Sequence, residues 1–243
     1  EFIPNGLFSK LMVRFLHFID KPLKYWRNGV IGQYKTTKGY IELSERSIYF
    51  CTRGEDSAEF LRVINEIVDT LITDWFKVSI CSVTIRCPHC IAKKSPQPFI
   101  FDLADCEHCA ALGNVRTIDC KANEPYPIRL DRIVPDIAMA DFDGSLIDYK
   151  DIVIEKTLGK GSFGVIYRGK WKGDVVAVKQ LKVEGDMALD AYAEFRKEVW
   201  LMSGLDHPCI VNLLGYSTNP LVIVMECVTG GDLYGLVHNP KIK

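Results

Sequence analysis

The chain has 243 residues, 48% of them hydrophobic and 25% charged, and carries a formal net charge of −1. This composition suits a globular core and excludes a disordered chain, and the balanced charge gives no electrostatic argument for nucleic acid or an acidic membrane as partner. No apolar run reaches membrane-spanning length, and the apolar-rich residues 2–19 include Lys10, Arg14 and His17 without a signal-peptide layout.

Residues 1–78 alternate helical and extended patterns. Leu7, Leu11, Phe15 and Phe18 recur at helical spacing. Residues 30–34, 40–43 and 47–52 are short strand candidates, with turns expected at 36–39 and 44–46. Residues 56–75 form the strongest helical pattern. Leu61, Ile64, Val68, Leu71 and Trp75 make one stripe, which Phe60, Ile67 and Ile72 widen. Glu55 and Asp56 stand at its start, where the helix dipole favours acids. This part reads as an α+β domain with its own core.

Residues 79–149 are richer in proline and cysteine. Cys87-Pro88-His89-Cys90 and Cys106-Glu107-His108-Cys109 are two C-x-x-C knuckles separated by 15 residues. That spacing falls in the range of a four-cysteine zinc site, in which each knuckle wraps two thiolates around a tetrahedral ion. Cys87, Cys90, Cys106 and Cys109 are therefore the expected ligands of a structural zinc. His89 and His108 are possible substitutes and Cys120 is a spare; ordinary packed cysteines remain the alternative. Four thiolates leave no open position for catalysis. Nine cysteines without a secretion signal also point to reduced thiols and a cytoplasmic location.

Residues 150–243 read as three strands, a helix over about 186–203 burying Leu189, Phe195, Val199 and Met202, and two further strands. Gly159, Gly161 and Gly164 form G-x-G-x-x-G, and Val176-Ala177-Val178-Lys179 follows. The glycine spacing alone also marks dinucleotide-binding folds. Those need a helix directly after the glycines. Here β-branched and aromatic residues alternate up to Trp171, Lys172-Gly173-Asp174 makes a tight turn, and a second strand follows. The glycines thus join two strands of a hairpin.

Glycine loop followed by V-A-x-K resembles the N-terminal lobe of a protein kinase, an antiparallel sheet of five strands with one helix. The resemblance implies ATP with magnesium as cofactor. Leu158, Gly159, Lys160, Gly161, Ser162, Phe163 and Gly164 would cover the phosphates. Ile166 and Ala177 would line the adenine slot, and Lys179 would meet the α- and β-phosphates. Glu198, placed before x-x-x-Met202 and His207-Pro208, is the expected carboxylate partner of Lys179. Met225 falls at the gatekeeper position, Glu226, Cys227 and Val228 in the hinge, and Asp232 near the ribose. No H-R-D occurs, and Asp141-Phe142-Asp143-Gly144 is in the wrong order and has one residue too many to be D-F-G. The large lobe is therefore expected to be truncated and this chain alone to transfer no phosphate. Both ends, Glu1 rather than methionine and Lys243 within a recognisable pattern, read as cuts.

Residues 2–15, Trp26-Arg27-Asn28-Gly29-Val30 and the helix ending Trp75-Phe76 resemble the second half of a COR domain. Residues 127–142 resemble the linker that follows it in the leucine-rich-repeat kinases of the Roco family. The implied organisation is 1–78 COR, 79–149 cysteine-rich segment and linker, and 150–243 kinase small lobe and hinge. The resemblance further implies an α+β fold, a Ser/Thr kinase acting on protein substrates, an upstream Ras-like GTPase absent from these residues, and homodimer contacts through COR. The small lobe by itself does not separate Ser/Thr from Tyr kinases. A non-catalytic COR scaffold carrying a nucleotide-binding pseudokinase lobe is the alternative.

Overall fold

The computed structural model describes residues 3–78, 81–113, 115–122, 125–162, 164–183, 188–231, 233 and 237–238. Phe163, Asp232 and the expected helix start at Asp186 lie outside them. The chain divides into two compact units, residues 1–106 with 116–141 and residues 107–115 with 142–243. The fold class is α+β.

The first unit begins with helix α1 (Leu7–Phe18), strands β1 (Lys21–Trp26), β2 (Gly29–Tyr34), β3 (Thr37–Leu43) and β4 (Ile48–Arg53), and helix α2 (Ser57–Thr70). The strands form an antiparallel meander in chain order. Leu11, Phe15 and Ile19 pack with Val30 and Ile41 from the sheet and with Phe60, Ile64 and Leu71. The Phe15 and Phe60 rings stack with centroids 5.8 Å apart. Strand β1 has no apolar alternation and is almost wholly exposed. It forms because it pairs with β2, and Pro22 and its lysines suit an edge.

Two local expectations are corrected. The turn expected over 36–39 lies at Lys35-Thr36, and β3 already begins at Thr37. Thr37 is fully buried and its Oγ1 accepts the Asp56 N–H, while Thr36 donates to the Asp56 carboxylate through Oγ1 at 2.8 Å. Gly39 belongs to the strand because the Phe60 ring lies over it; a Cβ there would stand 2.4 Å from that ring. The helical stripe is also rotated from the expected one. Phe60, Ile64 and Leu71 are buried, Leu61 and Val68 only half-buried, and Trp75 is 57% exposed. Within the regular helix the buried row runs through Phe60 and Ile64, and the π-helical turn at Leu71–Trp75, whose wider winding changes the phase after Leu71, carries Trp75 off it. Trp75 instead meets cations, with Lys10 Nζ 3.8 Å from its ring centroid.

The connector consists of β5 (Thr84–Arg86), α3 (Pro88–Ala92), β6 (Ile100–Asp102), α4 (Leu103–Ala111), β7 (Thr117–Cys120), β8 (Tyr126–Arg129) and α5 (Leu130–Ile133). Strands β5 and β6 form one two-stranded sheet, β7 and β8 another. After α5 the chain returns to α2. Asn65 Nδ2 donates to Asp136 at 2.8 Å, and one Arg62 nitrogen donates to both Asp141 oxygens at 2.8 and 2.7 Å.

The second unit holds β9 (Ile152–Gly161), β10 (Gly164–Trp171), β11 (Asp174–Leu181), α6 (Ala188–Ser203), β12 (Leu213–Thr218) and β13 (Leu221–Glu226). Its antiparallel sheet has the order β12-β13-β11-β10-β9. Lys172 and Gly173, with φ of 52° and 93°, make the two-residue turn between β10 and β11, whose left-handed geometry follows the strand twist. One sheet face buries Val176, Val178, Val222 and Val224 with Ile147 and Ile152. Helix α6 buries Tyr192, Phe195 and Val199, and Phe195 meets Tyr216 of β12 edge to face. Leu189 is 38% exposed and Met202 half-buried, contrary to expectation, because the helix meets β12 and β13 through the i, i+3, i+7 row that begins at Tyr192. Among the described residues, no helix is long and apolar enough to cross a membrane.

Phe60→Ala should cost about 3–5 kcal/mol, because a fully buried ring shared by α1, the sheet and α2 is lost; urea unfolding of the first unit measures it. Acid should also weaken this unit. Burial alone would raise the Glu59 pKa, but hydrogen bonds from Lys35 and Tyr34 outweigh it and hold the carboxyl below its ordinary value. That stability is present above the ordinary pKa and is lost as pH falls through the lowered one. The melting temperature of Glu59→Gln should therefore fall less steeply than wild type on acidification through this range.

Candidate functional site

Strand alternation builds the site. In β11, Val176 and Val178 enter the core on one face, so Ala177 and Lys179 project to the other. Cross-strand partners share a face. Lys179 lies opposite Ile166 of β10 and Ile223 of β13, and Ala177 lies opposite Met225. The same row reaches Gly159, paired with Ile166, and Tyr216, paired with Ile223. Tyr216 contacts α6 through Phe195, so this face is the one the helix covers.

Helix α6 supplies the countercharge. Lys179 Nζ donates to both Glu198 oxygens at 2.7 Å. Their side chains are 21% and 32% exposed. An ion pair this wet stabilises a fold little, so its main physical effect is to hold the ammonium in one position. Glu194, one turn earlier, is exposed.

The glycines differ in what requires them. A Cβ on Gly164 would stand 2.3 Å from the Gln180 carbonyl oxygen, so the close approach of β10 and β11 demands glycine. Gly159 and Gly161 have no such constraint. A Cβ on either meets nothing within 4 Å, and neither has a left-handed φ. Neither packing nor backbone geometry demands glycine there, and the two positions border open space beside the face that carries Lys179. Leu158 and Lys160 are exposed on β9, and Ser162 is exposed in the turn. Ile166 is 36% exposed and Ala177 buried.

At the far end of β13, Met225, Glu226 and Cys227 are half-buried. Asn212, which the sequence reading did not single out, holds this end. The Glu226 N–H donates to the Asn212 carbonyl at 3.1 Å, and the Asn212 N–H donates to Glu226 Oε1 at 3.1 Å. No short motif announces such a reciprocal pair across 14 residues.

The second cluster lies in the first unit. Cys87 caps α3, with Pro88 opening the helix and the Cys90 N–H pointing at Cys87 Sγ, 3.4 Å away. The sulfurs of Cys87, Cys90 and Cys120 all lie within 4.8 Å of one another, and Cys90 and Cys120 are 3.6 Å apart. All three are buried. Cys106 and Cys109 lie on α4, the first buried and the second half-buried. The division between the two units passes between them. Cys120, the spare of the sequence reading, thus joins the first knuckle. Its signal was weak because it comes from a hairpin 30 residues later, outside any C-x-x-C.

Known families match both units. The C-terminal of Roc, COR-B domain matches residues 1–136, which include the cysteine-rich segment. The protein tyrosine and serine/threonine kinase family matches residues 152–243. The chain belongs to the Roco family. It is 38% identical over its whole length to the probable serine/threonine-protein kinase pats1 of Dictyostelium discoideum, covering 8% of that protein. It is 27% identical over 99% of its length to the probable serine/threonine-protein kinase roco6 of the same organism, covering 18% of that protein. Cyclic GMP-binding protein C, also from Dictyostelium discoideum, is 25% identical over the whole chain and is covered over 11% of its length. The chain therefore spans less than a fifth of the length of each of these relatives.

Gly164→Ala should destabilise the second unit, because its methyl collides with the Gln180 carbonyl, whereas Gly159→Ala should leave stability nearly unchanged. Thermal melting of the two variants separates a packing glycine from one bordering open space.

Proposed function

We propose that residues 150–243 are the ATP-gripping part of a Ser/Thr protein kinase of the Roco type, which in the full-length protein transfers the γ-phosphate of ATP to protein hydroxyls. The observation that carries this reading is the Lys179–Glu198 pair at 2.7 Å, on the sheet face that also bears Ile166, Ala177 and Met225. A lysine held by a helix carboxylate is what phosphoryl transfer requires of this lobe. The open space at Gly159 and Gly161 suits backbone N–H groups approaching phosphates. Lys179 would meet the α- and β-phosphates, Met225 would close the back of the adenine slot, and the strand end at Glu226 and Cys227 would face its edge. Magnesium would neutralise the phosphate charge through ligands outside this chain.

The Ser/Thr assignment rests on the names of the pats1 and roco6 relatives. Residues 1–78 would act as COR, with 79–149 as cysteine-rich segment and linker, regulating the kinase, contributing homodimer contacts and receiving the signal of an upstream Ras-like GTPase. The setting of reduced cysteines suits the cytoplasm. The 243-residue chain alone, without H-R-D and a correctly placed D-F-G, is expected to bind nucleotide without transferring phosphate.

Magnesium-ATP should raise the melting temperature of the second unit in a concentration-dependent way. Lys179→Met should abolish most of that shift while leaving the ligand-free stability within about 1 kcal/mol of wild type, because a part-exposed ion pair contributes little to folding. No shift with wild type would favour a non-catalytic COR scaffold. A shift unaltered by Lys179→Met would remove Lys179 from the site.

A further inference from the structure

Residues 81–106 bury too little apolar matter to hold themselves together. Among residues 81–106, all of them described, the buried ones are Cys87, Cys90, Phe101 and Cys106. Their strands are three residues each and α3 is five. Elements this short do not build a hydrophobic core, and small folds of this kind commonly depend on disulfides or metals. Buried cysteines take the place of the missing core.

Three of their sulfurs, those of Cys87, Cys90 and Cys120, cluster at a spacing that suits metal ligands. Zinc–sulfur bonds of about 2.3 Å at tetrahedral angles put sulfurs about 3.8 Å apart. Cys90 and Cys120 are 3.6 Å apart, and all three sulfurs fall within 4.8 Å of each other. A disulfide requires about 2.05 Å. The Cys90 N–H directed at Cys87 Sγ would stabilise negative charge on that sulfur, the outer hydrogen bond that supports a metal-bound ligand. The β7–β8 hairpin is held to the knuckle by a second, independent contact. Tyr126, paired with Cys120 across the hairpin, stacks on the His89 ring at 4.2 Å between centroids and 10° between planes. This contact leaves His89 packed as part of the wall.

We propose that Cys87, Cys90 and Cys120 hold one structural zinc ion, with Cys106, the remaining buried cysteine of this unit, as fourth ligand. The site differs from two paired knuckles in drawing a ligand from the β7–β8 hairpin, and so fastens that hairpin to α3. Strand β8 leads through α5 to Asp136 and Asp141, which are anchored on Asn65 and Arg62 of α2. Zinc would therefore brace the connector at its middle while α2 braces its end.

The test uses the 243-residue chain, purified under reducing conditions without chelator. Elemental analysis should find about one zinc per chain. Cobalt substituted for it should show the d–d bands of a tetrahedral site and thiolate charge-transfer absorption. Cys120→Ser should weaken zinc binding at least tenfold and change the cobalt spectrum, whereas exposed Cys51→Ser should change neither. Alkylation followed by mass spectrometry, on wild type alone, guards against a misfolded variant: Cys120 should react much faster after chelation than before. A metal-free wild-type chain that takes up no cobalt would overturn the proposal, as would a Cys90–Cys120 disulfide under these conditions. Alkylation of Cys120 at the same rate with and without chelator would overturn it as well.

Discussion

The second unit depends on the two-residue period of its central strand. Strand β11 is flanked on both sides, so each residue must serve one face or the other. Val176 and Val178 take the core, which leaves Ala177 and Lys179 on the face toward α6. A one-residue slip would bury the ammonium among valines and expose the core. The cost of burying an unpaired charge therefore fixes the register. Gly164 allows β10 to lie close against β11, and the Lys172-Gly173 turn sets where the two strands begin to pair.

Once that register is set, the neighbouring residues follow from pairing geometry. Ile166 stands across from Lys179 and Met225 across from Ala177. Glu198 comes from outside the sheet, and it arrives because Phe195 and Val199 on the same helix are buried. Packing energy thus positions a charge whose own pairing energy is small. The lobe's apolar contacts carry stability, while the polar contact supplies orientation.

The first unit uses two different means. Its meander and two helices share aromatic rings, with Phe18, Tyr34 and Phe60 in mutual contact and Phe15 stacked on Phe60. Beyond α2 the elements become too short for that strategy, and directed polar and sulfur contacts replace area. Arg62 and Asn65 on the half-buried flank of α2 bind carboxylates more than 70 residues later in the chain. Such bonds are local in space and remote in sequence, so no periodicity announces them.

The two hairpins of β9 to β11 were readable from residues 158–179, because glycine spacing, β-branched alternation and a tight turn are local properties. Helix α1, strands β2 to β4 and the core membership of Phe60 and Ile64 were readable for the same reason. The sequence by itself determined the types of α1, α2, α6 and of strands β2 to β4 and β9 to β11, the hairpin position of the glycines and the candidates Lys179 and Glu198. Tertiary structure alone decided what depends on distant atoms. Strand β1 exists because β2 offers it an edge. Trp75 turns outward because a π-helical turn shifts the phase of α2. Leu189 stays exposed because α6 meets the sheet only from Tyr192 onward, and Cys120 reaches Cys90 because a second hairpin folds back on α3. Local pattern encodes which way a side chain points within its element; the contact that it finds there is set by elements that the pattern does not contain.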